Sequence, residues 1–281
     1  MGRQAGHHFI PASYLSGFTV EATKEASFWS VPVKSGQAFS TSPVKSCKKR
    51  DYYSIEHKDS LLVEKWYAQE IEPKIKSSID HIARNSTLPS KDEMQNLLLL
   101  AATLYLRTPS NRALLEAPLT RAKEIVDSIA DGVKISNASD FNYTQTDIIK
   151  SEIRLISTVM ASLCKKYYRL YVASDEDVNF LTSDNPFLLN HPNGGSGFYY
   201  GLETPSTELS IPVSRKAVLV GRNEPFQEGV FNANKVFAGL INTKIILNTD
   251  RFFYAPYPDV WLVDDELKPH IHNIFGKRPA R

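Results

Sequence analysis

Two adjacent histidines, His7 and His8, are the first side chains in this sequence able to do acid–base or metal chemistry. Imidazole titrates near neutral pH and ligates metals in its neutral form. On an extended backbone neighbouring residues face opposite ways, so one ring can serve a site while the other packs or meets solvent. The plainer reading is a docking segment with hydrogen-bonded rings. Glu64 and Glu72 lie eight residues apart, about 80° around a regular helix at ~100° per residue. They share a broad face unless Pro73 disrupts it. Such a pair would hold Mg2+ or Mn2+, or act as acid and base. A solvated face beside Lys65 and Lys74 is the alternative. Arg107 closes an apolar run and precedes Pro109. Its guanidinium suits a bidentate phosphate or carboxylate, or caps the negative end of a helix, with Arg112 on the next turn. Asp184, in Ser183-Asp184-Asn185-Pro186, follows a β-rich run, where a rigid element can hold a carboxylate beside an opening loop. Asp-Asn-Pro is also an ordinary turn.

The familiar catalytic patterns are absent: the sequence has no GxSxG, HExxH, EF-hand loop or GxGxxG at a strand-to-helix turn. The Gly-rich run Asn193 to Gly197 lacks the Lys-Ser/Thr of a P-loop and reads as a lid or a disordered insertion. Two cysteines, Cys47 and Cys164, form no CxxC, which excludes a zinc ribbon and argues against a disulfide framework. Cys164 reads as a core residue rather than a nucleophile, and His270 and His272 as part of a mobile tail.

Positioning these residues requires a folded core, and the composition supplies one. The chain has 281 residues, 42% hydrophobic and 23% charged, an ordinary globular balance. A net charge of +2 does not announce a nucleic-acid surface, though a local basic patch is compatible with it. Met1 to His8 lacks the apolar stretch of a signal peptide, and Leu97 to Leu106 falls short of the ~20 residues that span a bilayer. The expectation is a cytoplasmic protein with no membrane partner.

His7 to Phe18 is dense in large apolar groups and should dock onto the core. Ser27 to Thr41 reads as a hairpin turning at Lys34-Ser35-Gly36-Gln37, with Pro32 best placed on an edge strand. Lys45 to Arg50 adds four basic residues. Helices follow: one kinked near Glu72 by Pro73, one capped by Ser90 and Glu93 and ending at Arg107-Thr108-Pro109, one stopping at Asp131-Gly132, and an amphipathic one through Ile149, Ile153, Ile156, Met160 and Leu163. Short β-runs then cover Tyr168 to Ala173, Val178 to Thr182, Phe187 to Leu189, Leu209 to Val213 and Ala217 to Val220. A long loop spans His191 to Glu208. A last helix through Val230, Ala233, Phe237 and Ile241 precedes a strand at Phe252 to Ala255. The fold class expected is α+β: a mostly helical middle (60–165) and a C-terminal helix around a mixed or antiparallel β-sheet (166–256), in one domain over 1–281.

The order of certain segments resembles the family catalogued as domain of unknown function 4238. They are His7-His8-Phe9-Ile10-Pro11 with Tyr14-Leu15 and Phe18, the Trp29 hairpin, Asp51-Tyr52-Tyr53, the helix bearing Glu64 and Glu72, Arg107-Thr108-Pro109, Ser183-Asp184-Asn185-Pro186, Ile211-Pro212-Val213-Ser214, and the Asn242 helix before Phe253-Tyr254. The resemblance runs from about residue 7 to 256 and implies a fold and boundaries, not a chemistry. From the residues, the leading expectation is a metal-assisted hydrolase or nuclease, a toxin or defence effector by context. Its substrate would be a nucleic acid or a phosphorylated small molecule. His7 or His8 is base or ligand, Glu64, Glu72 and Asp184 hold Mg2+ or Mn2+, and Arg107 steadies phosphate charge. The rival is a non-catalytic binding protein in which the Arg, Asp and His side chains form a structural network.

Overall fold

The first buried segment of the chain is its N-terminal stretch. The computed structural model describes residues 6–57, 59, 61–85, 87–129, 144–192 and 200–276. The Gly-rich run Asn193 to Gly197, the Asp131-Gly132 helix stop and the tail from Lys277 lie outside the described residues. β1 (Gly6–His8) leads through Pro11 into α1 (Ala12–Leu15) and a 3-10 turn, Ser16–Phe18. Ile10, Tyr14, Leu15 and Phe18 are fully buried, as their density led us to expect. The Tyr14 hydroxyl donates to the Pro212 carbonyl at 2.8 Å and meets Thr182 Oγ1 at 2.8 Å, tying the segment to elements some 170 to 200 residues away. β2 (Phe28–Pro32) and β3 (Phe39–Thr41) form the expected hairpin. β4 (Lys48–Arg50) then returns to pair antiparallel with β1, His8 opposite Lys48.

The helical middle is α2 (Leu62–Trp66), a π-helical turn (Tyr67–Ile71), α3 (Glu72–Asn85), α4 (Lys91–Arg107), α5 (Pro109–Ile129) and α6 (Gln145–Leu163). The expected kink at Glu72 is a widened π turn instead. Pro73 has no N–H for the carbonyl four residues back and its ring crowds that oxygen, so the ladder opens rather than breaks. Ser90 and Glu93 form the expected capping box, and Thr144 and Asp147 form a second. α4 stops at Thr108, whose ψ of 147° is extended, as expected before a proline. Leu97, Leu98, Leu100, Leu104 and Leu106 bury α4 against α3 and α6.

Two larger sheets complete the fold among the described residues. The five-stranded sheet has the order β10-β5-β9-β8-β7, built from β5 (Tyr167–Val172), β7 (Leu188–Asn190), β8 (Glu208–Ser214), β9 (Ala217–Arg222) and β10 (Gly229–Asn232). Only the β10–β5 pair in it is parallel. The four-stranded antiparallel sheet is β3-β2-β11-β6, with β6 (Thr182–Ser183) and β11 (Phe252–Ala255). α7 (Lys235–Asn248) packs on β12 (Asp259–Val263), which pairs with β13 (Pro269–Asn273). Gly239 permits that close approach: a Cβ there would lie 2.8 Å from the Leu262 carbonyl. The chain is α+β with mixed and antiparallel sheets. Among the described residues no helix is long and apolar enough to cross a membrane.

Several local expectations are corrected. Val230 lies in β10, and α7 begins only at Lys235, after its Asn234 cap. Val178 to Leu181 is not a strand; its backbone is held from outside, Phe180 N–H by the Arg215 carbonyl and Leu181 N–H by Asn242 Oδ1. Pro32 closes an inner strand rather than lying on an edge one. His270 and His272 belong to β13, not to a tail. Cys164 is exposed at the end of α6, not in the core.

Candidate functional site

Arg107 leaves the end of α4 and is 2% exposed. Its Nε donates to the Tyr53 hydroxyl at 2.8 Å and an Nη to the His8 carbonyl at 2.7 Å. The guanidinium lies 3.8 Å from the centre of the Tyr67 ring and 4.9 Å from that of Tyr53, a desolvated cation–π stack. Burial raises the pKa of both phenols, so they stay neutral. No carboxylate among the described residues forms an ion pair with Arg107, and its Nη1 lacks a partner there. Arg107 therefore ties β1 to the helices.

The two histidines divide as the extended backbone requires. His7 is fully buried, and its Nδ1 accepts the Tyr53 backbone N–H at 2.8 Å, which places the ring proton on Nε2. Nε2 lies 3.2 Å from Glu64 Oε2, off the line of a well-aligned hydrogen bond. His8 faces the other way. Burial first, then the charges of Lys48 and Arg107, lower its pKa to about 4, so it is a neutral ring at physiological pH. Glu72, at the start of α3, receives the Ser13 hydroxyl at 3.5 Å.

Arg112 shows what a fully matched buried arginine looks like here. Its Nε and Nη2 grip both oxygens of Glu152 at 2.5 and 2.7 Å, and its Nη1 donates to the Tyr52 carbonyl at 3.0 Å. The guanidinium stacks 3.6 Å from the Tyr52 ring centre. Glu152 was not among the expected site residues. Its signal was present: it falls on the same face as Ile149 and Ile156, where a charge needs a partner.

Asp184 sits elsewhere, at the end of β6. Its Oδ1 accepts the Asp250 N–H at 3.0 Å, and its Oδ2 the N–H groups of Arg251 and Phe252 at 2.9 and 3.2 Å. It thus latches the turn from α7 into β11. Asn248 supports the same turn by donating to the Asn185 and Phe187 carbonyls at 2.8 and 3.2 Å. Asn242 fixes the stretch before it, bonding Leu181, Asn179 and Trp261. The single network expected of Arg107, Asp184, the histidines and Glu64 is therefore two. Arg107, the His8 carbonyl, Tyr53, His7 and Glu64 follow one another contact by contact, whereas the side-chain partners of Asp184 are the backbone N–H groups of 250–252.

Asp184 lines a cleft of about 200 Å³ between β4 and the β2–β11 strands. Cys47 and Tyr254 form its floor, Sγ and Oη 3.3 Å apart, and Phe9 closes one wall. Burial holds the Cys47 pKa well above its usual range, so the group is a thiol and not a nucleophile. Lys45, Lys48 and Arg251 stand around the mouth with Phe39 and Phe252, whose rings meet edge to face at 6.0 Å. All three cations are exposed, and none forms an ion pair among the described residues. Residues 26–50 contain no Asp or Glu, a local signal that the near-neutral total conceals.

Burial, then the charge of Asp250, raises the Asp184 carboxyl to about 6, against the three backbone donors that lower it. A raised carboxyl pKa stabilises the fold fully below the ordinary 3.8, and that contribution is lost as pH rises through about 6. A carbon-detected NMR titration should accordingly give the Asp184 side chain a midpoint near 6; one below 4 would contradict its burial in this cleft.

Among the described residues no three His, Cys, Asp or Glu side chains are gathered closely enough to hold a metal ion. The expected set of Glu64, Glu72 and Asp184 is not brought together as a metal site. What the arrangement offers is an α+β scaffold with internal polar networks and a basic, aromatic cleft. Residues 6–256 match the family described as Protein of unknown function (DUF4238), and the chain belongs to that family. No curated protein and no solved structure matches it.

Proposed function

We propose that this protein binds a phosphate-bearing ligand in the cleft between β4 and β11. The supporting observation is that Lys45, Lys48 and Arg251, all without a carboxylate partner, converge on one cleft with aromatic walls. Unpaired cations around a partly desolvated opening attract anions and hold them by charge-assisted hydrogen bonds. Asp184 is the acidic member of the lining, and its oxygens are turned onto backbone N–H groups, which offsets part of its charge. Arg107, Arg112, His7 and Asp184 serve this reading as the internal framework that fixes β1 and β11 on either side. Pyrophosphate and a 5′-mononucleotide are the probes. Each of Lys45→Ala, Lys48→Ala and Arg251→Ala is expected to weaken binding about fivefold, from ~1 kcal/mol per exposed charge contact. Unchanged binding in all three variants, or no binding to the wild type, would refute the reading.

Hydrolysis of that ligand is the second reading, favoured by one feature. The Asp184 carboxyl lines the cleft with a pKa of about 6, within the range where a carboxyl can take or give a proton during a reaction near neutral pH. A nuclease and phosphodiesterase panel with and without Mg2+ or Mn2+ tests it. Product formation abolished by Asp184→Asn, in a variant whose melting curve shows it folded, supports catalysis; no product under any condition leaves a binding protein.

A further inference from the structure

We infer that the ligand of this cleft is a single-stranded nucleic acid rather than a free nucleotide, an inference that rests on the phosphate reading above. The positive charge does not stop at the cleft. Lys48 lines it, and β4 continues outward through exposed Lys49 and Arg50. Side chains alternate along a strand, so Arg50 shares the face of Lys48, one step of ~6.6 Å further on. Neither Lys49 nor Arg50 forms an ion pair among the described residues, and Lys49 instead lies over the Tyr52 ring at 5.4 Å. Arg251, Lys45, Lys48 and Arg50 thus form a track longer than one phosphate. The single-residue scale of the cleft matters as well. At about 200 Å³ it is smaller than the ~300–1,000 Å³ of a drug-sized pocket.

Phe39 supplies the group that would read a base. It lies on the outer strand of its sheet, 48% exposed, with its ring braced edge-on against Phe252. A ring offered to solvent beside a basic track is the combination that single strands use, the backbone following the charges while an unstacked base lies on the aromatic face. A duplex keeps its bases stacked inside and has none to place there. Inorganic polyphosphate has the charge but no base.

Fluorescence anisotropy with labelled oligo-dT and oligo-U of four and twelve nucleotides tests this, with a mononucleotide, a twelve-base-pair duplex and inorganic polyphosphate as competitors. The twelve-mer should bind at least tenfold more tightly than the mononucleotide. Raising salt from 50 to 200 mM should weaken it ~50-fold, the result of four neutralised phosphates at ~0.7 each in the logarithmic slope. Arg50→Gln should weaken the twelve-mer and leave the mononucleotide unchanged, and Phe39→Ala should cost the twelve-mer about tenfold. A mononucleotide that binds as tightly as the twelve-mer would overturn the polymer inference while leaving the phosphate reading intact. So would duplex or polyphosphate competing as well as the single strand. Indifference of every probe to Lys45→Ala, Lys48→Ala and Arg251→Ala would overturn both.

Discussion

A chain beginning at Thr19 is expected to show no cooperative unfolding transition in urea. The segment it lacks buries Phe9, Ile10, Tyr14, Leu15 and Phe18, all 8% exposed or less. At ~1.5–3 kcal/mol for each large buried side chain, the loss is of the order of the whole ~5–15 kcal/mol by which a domain is stable. The deletion also strips acceptors from the interior. Arg107 loses the His8 carbonyl and the Tyr53 N–H loses His7 Nδ1, so a buried cation and a buried donor are left unmet. A truncated chain with the midpoint and slope of the full chain would show that this segment is an accessory and not part of the core.

Glu152→Ala is expected to destabilise the fold by ~3–5 kcal/mol, the cost of leaving the Arg112 guanidinium buried without its anion. Burial pushes the Glu152 carboxyl up and the Arg112 fork opposes it, so the pair persists only while both members are present. Replacing both, as Arg112→Met with Glu152→Leu, should recover much of the loss, because two apolar groups need no partner. Equilibrium urea unfolding of the single and double variants measures both effects. A single-variant loss below ~1 kcal/mol, or a double variant as unstable as the single, would mean that the pair is effectively solvated.

Local signals in the sequence led to local structure. The apolar density of Phe9 to Phe18, the Ser90–Glu93 box and the Thr108-Pro109 break each depend on neighbours a few residues away, and each is present in the fold. The π turn before Pro73 is a variant of the expected kink, because the missing N–H can be met by widening a turn as well as by bending. Long-range features were less accessible. Asp184 reads in the sequence as a strand-end carboxylate, yet its partners are the N–H groups of 250–252, which no spacing near residue 184 reveals. The cleft joins Lys45 and Lys48 to Arg251, some 200 residues apart, and the basic run alone did not identify it. β13 carries no strand signal in the sequence because its residues are mostly exposed and polar, with no apolar alternation to mark a strand.

The roles assigned here place phosphate at the mouth of this cleft and leave Arg107 as framework. A crystal structure of the protein with a bound 5′-mononucleotide tests that division most directly. Phosphate density is expected within hydrogen-bonding reach of Lys45, Lys48 or Arg251, with the Arg107 guanidinium still on Tyr53 and the His8 carbonyl. Phosphate density on Arg107, with β1 displaced to admit it and the cleft left empty, would contradict that division.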